Sequence, residues 1–458
     1  MAKKGGRTPL NAFLNGRLVG QLRRATSGAI DFQYDRSWLD WEHTFPASIS
    51  LPLREDRYIG DPVIAVFDNL LPDNKDIRAR VAERTQADGV DAYSLLAAIG
   101  RDCVGALQFL PDGDEPGNMG ELEATPISDK GIADTLSNLA NSPLGVGKSK
   151  EFRISIAGAQ DKTAFLRWKG KWHIPHGTTA TTHIFKPQIG QRGTYDLTHS
   201  VENEHMCLEI LRALGIPVAN TEIEDFAGTR ALVVERFDRE WTKDGRLLRV
   251  PQEDCCQALS VPPTRKYQSD LGPGMIDIFE FLKASDDPTY DQTMFLRAQI
   301  AFWLLAATDG HAKNFSVFLV PGGGFNLTPL YDVMSAQHLY DKKQMQKKDF
   351  QLAMSVGKNK HYQLHGILPR HFLQTAERAG LAEGLVDMAI DQIADKLPDA
   401  IETVCESLPV GFPVDIRDAI AKAALKRRER ITAALKEADD DVVKLFDTPQ
   451  LSGMLRFE

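Results

Sequence analysis

The period of apolar and polar positions changes along the chain, and the changes divide it. Near the N-terminus, Leu10-Asn-Ala-Phe-Leu14 and Arg17-Leu-Val-Gly-Gln-Leu22 flank Asn15-Gly16. That dipeptide supports a two-residue hairpin, so two paired strands are expected. Residues 30–34 alternate as a third strand. Residues 63–87 carry helical spacing broken at Pro72, and 93–99 read as another helix. Together these predict a small α+β unit over residues 1–110. Turn formers and charges dominate 111–150, with one short helix expected near 131–140, so this stretch reads as a connecting region. From 151 to 238 the period moves toward two. Strands are expected at 152–156, 163–168, 182–186, 221–224 and 231–235. A single helix over 199–214 is closed by Gly215 and Pro217. From 239 to 445 helices dominate, and 293–308, apolar nearly all round, predicts a buried central helix. The expected order is a small α+β unit, a β-rich lobe and an α-rich lobe.

Composition narrows the class. The chain has 458 residues, 43% hydrophobic and 26% charged, the balance of a soluble globular protein. No stretch approaches the ~18 consecutive apolar residues of a membrane span. No apolar signal core follows Met1-Ala-Lys-Lys-Gly-Gly-Arg7. The net charge of −9 argues against a whole surface that binds nucleic acid. The five cysteines, Cys103, Cys207, Cys255, Cys256 and Cys405, are odd in number and widely spaced, without C-x-x-C. They read as packing thiols in a reducing cytoplasm, not as a zinc site or disulfide framework.

The candidate chemistry begins where the buried helix ends, at Ala307-Thr-Asp-Gly-His-Ala-Lys-Asn-Phe-Ser316. Asp309 and Asn314 are five apart, and Asp332 follows in Pro329-Leu-Tyr-Asp-Val333. A catalytic-loop Asp, an Asn five residues on and a later metal-binding Asp is the arithmetic of protein kinases. Asn314 and Asp332 offer the hard oxygens Mg²⁺ prefers, and Asp309 can take a proton from an acceptor hydroxyl. The plainer reading is a capped helix end with an Asx turn. In the β-rich lobe, Ser155-Ile-Ala-Gly-Ala-Gln-Asp-Lys162 joins two strands, and Gly158 there allows backbone to approach a phosphate. A hairpin turn is the plainer alternative. Lys186 ends a strand, and Glu204, on one helix face with Leu208 and Leu211, is its expected partner. In Ala231-Leu-Val-Val-Glu-Arg-Phe-Asp-Arg239, an apolar strand turns polar, and Glu235 and Phe237 would meet adenine through main chain. Basic clusters at Lys342-Lys343, Lys347-Lys348 and Lys426-Arg-Arg-Glu-Arg430 read first as solvated surface, with auxiliary DNA or tRNA contact as the rival.

These residues together resemble the HipA family of serine/threonine kinase toxins from bacterial toxin–antitoxin modules. The resemblance also takes in Phe67-Asp-Asn-Leu-Leu-Pro72, Ala97-Ala-Ile-Gly-Arg-Asp102 with Cys103-Val-Gly-Ala-Leu107, Gln252-Glu-Asp-Cys-Cys-Gln-Ala-Leu259 and Pro262-Pro-Thr-Arg-Lys-Tyr267. It spans roughly residues 8 to 440. It implies an α+β, two-lobed fold of the protein-kinase or phosphoinositide-kinase kind, with an additional N-terminal α+β subdomain. It implies ATP and Mg²⁺, with Asp309 as proton acceptor and Asn314 and Asp332 on the metal. Nucleotide-lining positions would be Ala157, Gly158, Ala159, Gln160, Asp161, Lys162, Lys186, Glu235, Arg236, Phe237, His311, Ala312, Lys313, Asn314, Tyr331 and Asp332. Ser155 matches a serine such kinases phosphorylate on themselves to switch off. The family implies as target an aminoacyl-tRNA synthetase, notably the glutamyl one, with growth arrest and persistence as the result. It implies a HipB-type DNA-binding antitoxin as partner, operator DNA bound only through that complex, and no membrane. Two rivals remain from the residues alone: a small-molecule or lipid kinase, since D-x-H-x-x-N suits both, and a non-catalytic corepressor.

Overall fold

The computed structural model describes residues 8–146 and 154–446, with side chains as far as residue 433. The hairpin of strands Leu10–Leu14 and Arg17–Arg24 forms as the sequence predicts. Asn15 (φ 46°) and Gly16 (φ 84°) both take the left-handed conformation its tight turn requires. The hairpin sits in a five-stranded antiparallel sheet, with Ile30–Tyr34 and Tyr58–Ile59 on one side and Leu107–Pro111 on the other. Pro72 separates helices Asp61–Asp68 and Lys75–Thr85, and Ala92–Ile99 follows. The Asn74 side chain caps the second of these by accepting from the Asp76 and Ile77 amides. Val63, Phe67, Leu95 and Ile99 pack with Phe32 and Phe109 to close the core of this unit.

A six-stranded sheet follows, in the order Thr221–Phe226, Thr229–Glu235, His183–Pro187, Thr163–Trp168, Lys171–Pro175 and Ala124–Pro126. Its last strand comes from the stretch expected to be a mere connection. So does helix Asp129–Ser137, whose Ile132, Ala133 and Leu136 pack on Phe165, Phe185 and Phe226. Residues 124–137 therefore supply both an edge and a cover to the lobe. Of the strand expected at 152–156, residues 152 and 153 lie outside the described residues, and 154–157 form no strand. The alternation there has another cause. Ile154 and Ile156 are buried in the main core, while Ser155 bonds across to the N-terminal unit.

Helix Ser200–Ala213 stops before Gly215 (φ 77°). The central helix runs Pro288–Leu305, opened by Asp287 capping the Tyr290 amide and closed by left-handed Ala306. It starts earlier and ends sooner than the apolar run suggested, because Pro288 suits a first turn and Ala306 breaks the last. Helices Ser200–Ala213, Glu383–Ser407 and Val414–Phe446 surround it. The basic run 426–430 is no freely solvated face. Arg427 donates to Leu304 O (2.7 Å), Arg428 to Ala394 O and Arg430 to His365 O (3.1 Å), so the arginines fasten the last helix to its neighbours. The five cysteines are free thiols, four of them buried. Among the described residues, no helix is long and apolar enough to cross a membrane.

Candidate active site

The central helix delivers the chain to a tight turn on the wall of a cavity of about 450 Å³. In that turn His311 N–H donates to Asp309 O (2.8 Å) and Asn314 N–H to His311 O (2.9 Å). Asn314 Nδ2 also donates to Asp309 O (2.8 Å), which ties the two candidate residues together and leaves Asn314 Oδ1 available as a ligand. The Tyr331 hydroxyl meets Ser316 Oγ (2.6 Å) and donates to Lys313 O (3.1 Å), fixing the segment that carries Asp332 against the same turn. Asp332 itself takes φ 60°, the left-handed conformation that aspartate visits more readily than most non-glycine residues.

Across the cavity, strand His183–Pro187 presents Lys186. Its ammonium donates to Glu204 Oε1 (2.7 Å) and to Asp332 Oδ1 (2.9 Å). Lys186 and Glu204 are both almost fully buried. Burial opposes the charge on Lys186, but Asp332 and Glu204 more than offset it and hold the lysine protonated. Burial likewise raises Asp332, yet Lys186 and Lys162 keep its carboxyl well below the usual range. Asp309 is pushed the other way, up to about 6, by partial desolvation at the cavity wall and the nearby Asp332 charge, although its side chain remains half-exposed. The Tyr267 hydroxyl, which donates to its carboxylate, partly counters that.

The glycine-containing loop closes one end. Lys162 Nζ donates to Ala157 O (2.8 Å), and Gly158 sits at φ 109°, a backbone conformation that favours glycine there. Burial and neighbouring Lys186 push Lys162 down to about 8. Gln160 Nε2 donates to Pro187 O (3.1 Å) and pins the loop to the Lys186 strand.

Most of the expected positions line this one cavity: Ala157 to Gln160, Lys162, Lys186, Glu235 to Phe237, Asp309, His311, Lys313, Asn314, Tyr331 and Asp332. Three do not. Asp161 turns out to Arg192 (3.6 Å) and Arg80 (4.0 Å). Ala312 is packed in the core behind the turn. Ser155 is fully buried, its hydroxyl donating to Leu70 O (2.7 Å) and not facing the cavity. Arg236 reaches the cavity through its backbone alone, because its guanidinium is drawn into a buried cluster with Asp102 and Asp238. Burial pushes His311 down to about 3, so its ring is neutral.

The structure also brings in residues to which sequence reasoning gave no role. Asn69 and Asp73 reach the cavity from the N-terminal unit, and Asp254, Gln257 and Lys266 from the α-rich lobe. Tyr267 belongs with them through its bond to Asp309. For all but Asp73, which directly follows Phe67–Pro72, the available signal was their place inside the quoted motifs.

A family model described as the HipA-like C-terminal domain matches residues 154–401, more than half of the chain. The HipA N-terminal domain model matches 10–110. The chain belongs to the HipA family. The Sinorhizobium fredii protein Y4mE is 38% identical over 330 residues, 71% of this chain and 77% of that one. The serine/threonine-protein kinase toxin HipA of Shewanella oneidensis is 29% identical over 360 residues, 76% of this chain and 78% of that one. The solved Shewanella oneidensis HipA, in complex with HipB and operator DNA, superposes with a TM-score of 0.79 at 26% identity. The match covers 94% of this chain and 99% of that one. The two-lobed α+β architecture with its N-terminal unit is thus that of HipA.

Proposed function

We propose that this chain is an ATP-dependent protein serine/threonine kinase of the HipA toxin type. The observation that carries the reading is the convergence of Asp309, Asn314, Asp332 and the Lys186–Glu204 pair on one cavity of a HipA fold. The fit to Mg²⁺ rests on chemistry. Asn314 Oδ1 and an Asp332 oxygen are two hard donors, and Mg²⁺ takes one or two such ligands from protein beside phosphate oxygens. A larger cluster is unnecessary, and no group of three His, Cys, Asp or Glu is poised for a metal among the described residues. Bound MgATP would supply the phosphoryl group and the charge that offsets it. Lys186, held by Glu204 and Asp332, would orient the phosphates. The hinge backbone at Glu235 and Phe237 would read the base. Asp309 would accept the proton of the acceptor hydroxyl, with Tyr267 fixing its carboxylate.

Self-inactivation at Ser155 is part of the reading. The hydroxyl has no path to a phosphate where it sits, so residues 155–158 must first leave the N-terminal unit. A phosphoserine carries about −1.5 to −2 charges and cannot return to that buried place unpaired. The loop would then stay open and the nucleotide would bind weakly.

A HipB-type antitoxin as partner is supported by the Shewanella oneidensis HipA–HipB–operator complex, while a translation factor as target, first of all the glutamyl-tRNA synthetase, a cytoplasmic location and operon corepression rest on the family resemblance alone. The test is transfer from γ-labelled ATP in a lysate. Label on protein serine, and one added phosphate on the chain by intact mass, is the expected result. Label confined to a small-molecule pool would overturn the reading.

A further inference from the structure

The chemistry above uses neither Asp73 nor Lys266, yet both line the cavity and touch one another. Asp73 follows Pro72 in the N-terminal unit, and its own N–H donates to Gly158 O (3.1 Å), which ties its backbone to the glycine loop. One oxygen of its carboxylate accepts from Lys266 Nζ (2.8 Å), the other from Lys313 Nζ (2.5 Å). All three side chains are largely buried, at 10%, 15% and 5% exposure. Burial alone would raise the Asp73 carboxyl, but the two ammonium groups pull it down to about 2, so it is charged.

The two ammonium groups share the Asp73 carboxylate, and the other acids that act on them are those of the cavity itself: Asp309 and Asp332 on Lys266, and Asp254 on Lys313. A purely structural bridge between the N-terminal unit and the α-rich lobe needs one lysine. A second buried ammonium adds desolvation cost that the bridge itself does not require. An arrangement of that kind is stable and useful where an anion arrives. Lys266 is also the better placed of the two lysines for the reacting group. Its neighbour Tyr267 holds Asp309, and its carbonyl accepts from Ala312 N–H (3.3 Å) in the catalytic turn. Backbone and side chain are thus fixed on both sides of the place where an acceptor hydroxyl on Asp309 would meet the phosphate.

We propose that Lys266 is a catalytic residue whose ammonium stabilises the phosphoryl group during transfer, and that Asp73 is the positioning residue that aims it. The inference rests on the kinase reading. Preorganised cations aimed at developing charge act mainly on the transition state. Lys266→Met should therefore lower the rate of phosphate incorporation by roughly 10²-fold, while MgATP affinity, measured by calorimetry, changes little. Lys266→Arg, which keeps the charge, should retain more activity than Lys266→Met. Asp73→Asn keeps the backbone bond to Gly158 and loses the carboxylate charge. It should lower the rate without weakening MgATP binding, and the double variant should be no slower than Lys266→Met alone.

Thermal melts of each variant show that the comparison is between folded proteins, and the Arg-versus-Met contrast at equal melting temperature survives a modest loss of stability. The inference is overturned by an unimpaired Lys266→Met, by a loss of MgATP affinity that matches the loss of rate, by equal loss in Arg and Met, or by multiplicative effects in the double variant. A wild-type protein that transfers no phosphate overturns the kinase reading itself, which separates the two failures.

Discussion

At the scale of single residues, Lys186 is a buried ammonium shared by two carboxylates, and what each does can be separated. Among the described residues the Glu204 carboxylate hydrogen-bonds Lys186 alone, whereas Asp332 also belongs to the metal-binding chemistry proposed above. Glu204→Gln keeps a neutral acceptor but leaves Lys186 to Asp332 alone. The ammonium should drift toward Asp332, and a misplacement of about 1 Å costs about 10²-fold in rate. The expected result is a fall of that order in phosphate transfer with the fold intact, read by initial rates beside a melt. The Lys186–Glu204 pair was legible in the sequence, because Glu204, Leu208 and Leu211 repeat on one helix face. The contact between Asp73 and Lys266 was not. The two are 193 positions apart, and no local periodicity encodes which distant polar residues a cavity will gather. Ser155 shows the same limit. The motif predicted a loop over the phosphates, yet the hydroxyl's partner is a carbonyl 85 positions earlier.

At the scale of elements, the joint between the N-terminal unit and the hinge is made by buried charges. Asp102 accepts from Arg239 (2.8 Å), Arg249 (3.0 Å) and Arg236 (3.3 Å), and from the Thr181 amide and hydroxyl. Removing the charge at Asp102 leaves three buried guanidinium groups with Asp238 as their remaining acid in the cluster. Asp102→Asn should destabilise the protein by roughly 3–5 kcal/mol, measurable as a lower urea midpoint.

A second buried acid gives a pH effect. Glu253, on strand Gln252–Asp254, accepts the Ile49 amide (2.7 Å) through one oxygen. Burial pushes its carboxyl up to about 8. Between about pH 5 and 8 the folded protein then keeps a proton that the unfolded chain releases, so stability falls as pH rises. Glu253→Gln should flatten the melting temperature across that window and raise it at pH 8. Asp254, pushed up to about 7, should keep part of the slope. Unchanged pH dependence in the variant would refute this. Elements with strong local signals, such as the Asn15-Gly16 hairpin and the central helix, were readable from sequence. Strand Ala124–Pro126 and the strandless 154–157 were not, because in both the deciding partner is another unit.

At the scale of the whole molecule, the N-terminal unit is built into the active site rather than hung beside it. Leu70 O holds Ser155, Pro72 bridges to Gly158, and Asp73 meets the two lysines. The order of lobes was legible from the change of period along the chain. That the first unit would wall the cavity was not, since an apolar pattern shows what is buried but not against what. Net charge sets a further expectation. At −9 the chain alone lacks the cationic surplus that DNA phosphates require. Its arginine run near 427 is spent on carbonyls of its own helices. A mobility-shift assay at physiological salt should show weak or absent operator binding by the isolated chain, and binding once a HipB-type antitoxin is added. Tight sequence-specific binding by the chain alone would contradict that.

The central claim is that Asp309 serves as the base of a phosphoryl-transfer site, and one comparison tests it most directly. Wild-type protein and Asp309→Asn are incubated with γ-labelled ATP and Mg²⁺, and incorporated phosphate is followed beside MgATP affinity. The account predicts Mg²⁺-dependent phosphate on serine for the wild type. For Asp309→Asn it predicts loss of most transfer with nucleotide affinity and melting temperature retained. Undiminished transfer by Asp309→Asn would contradict it.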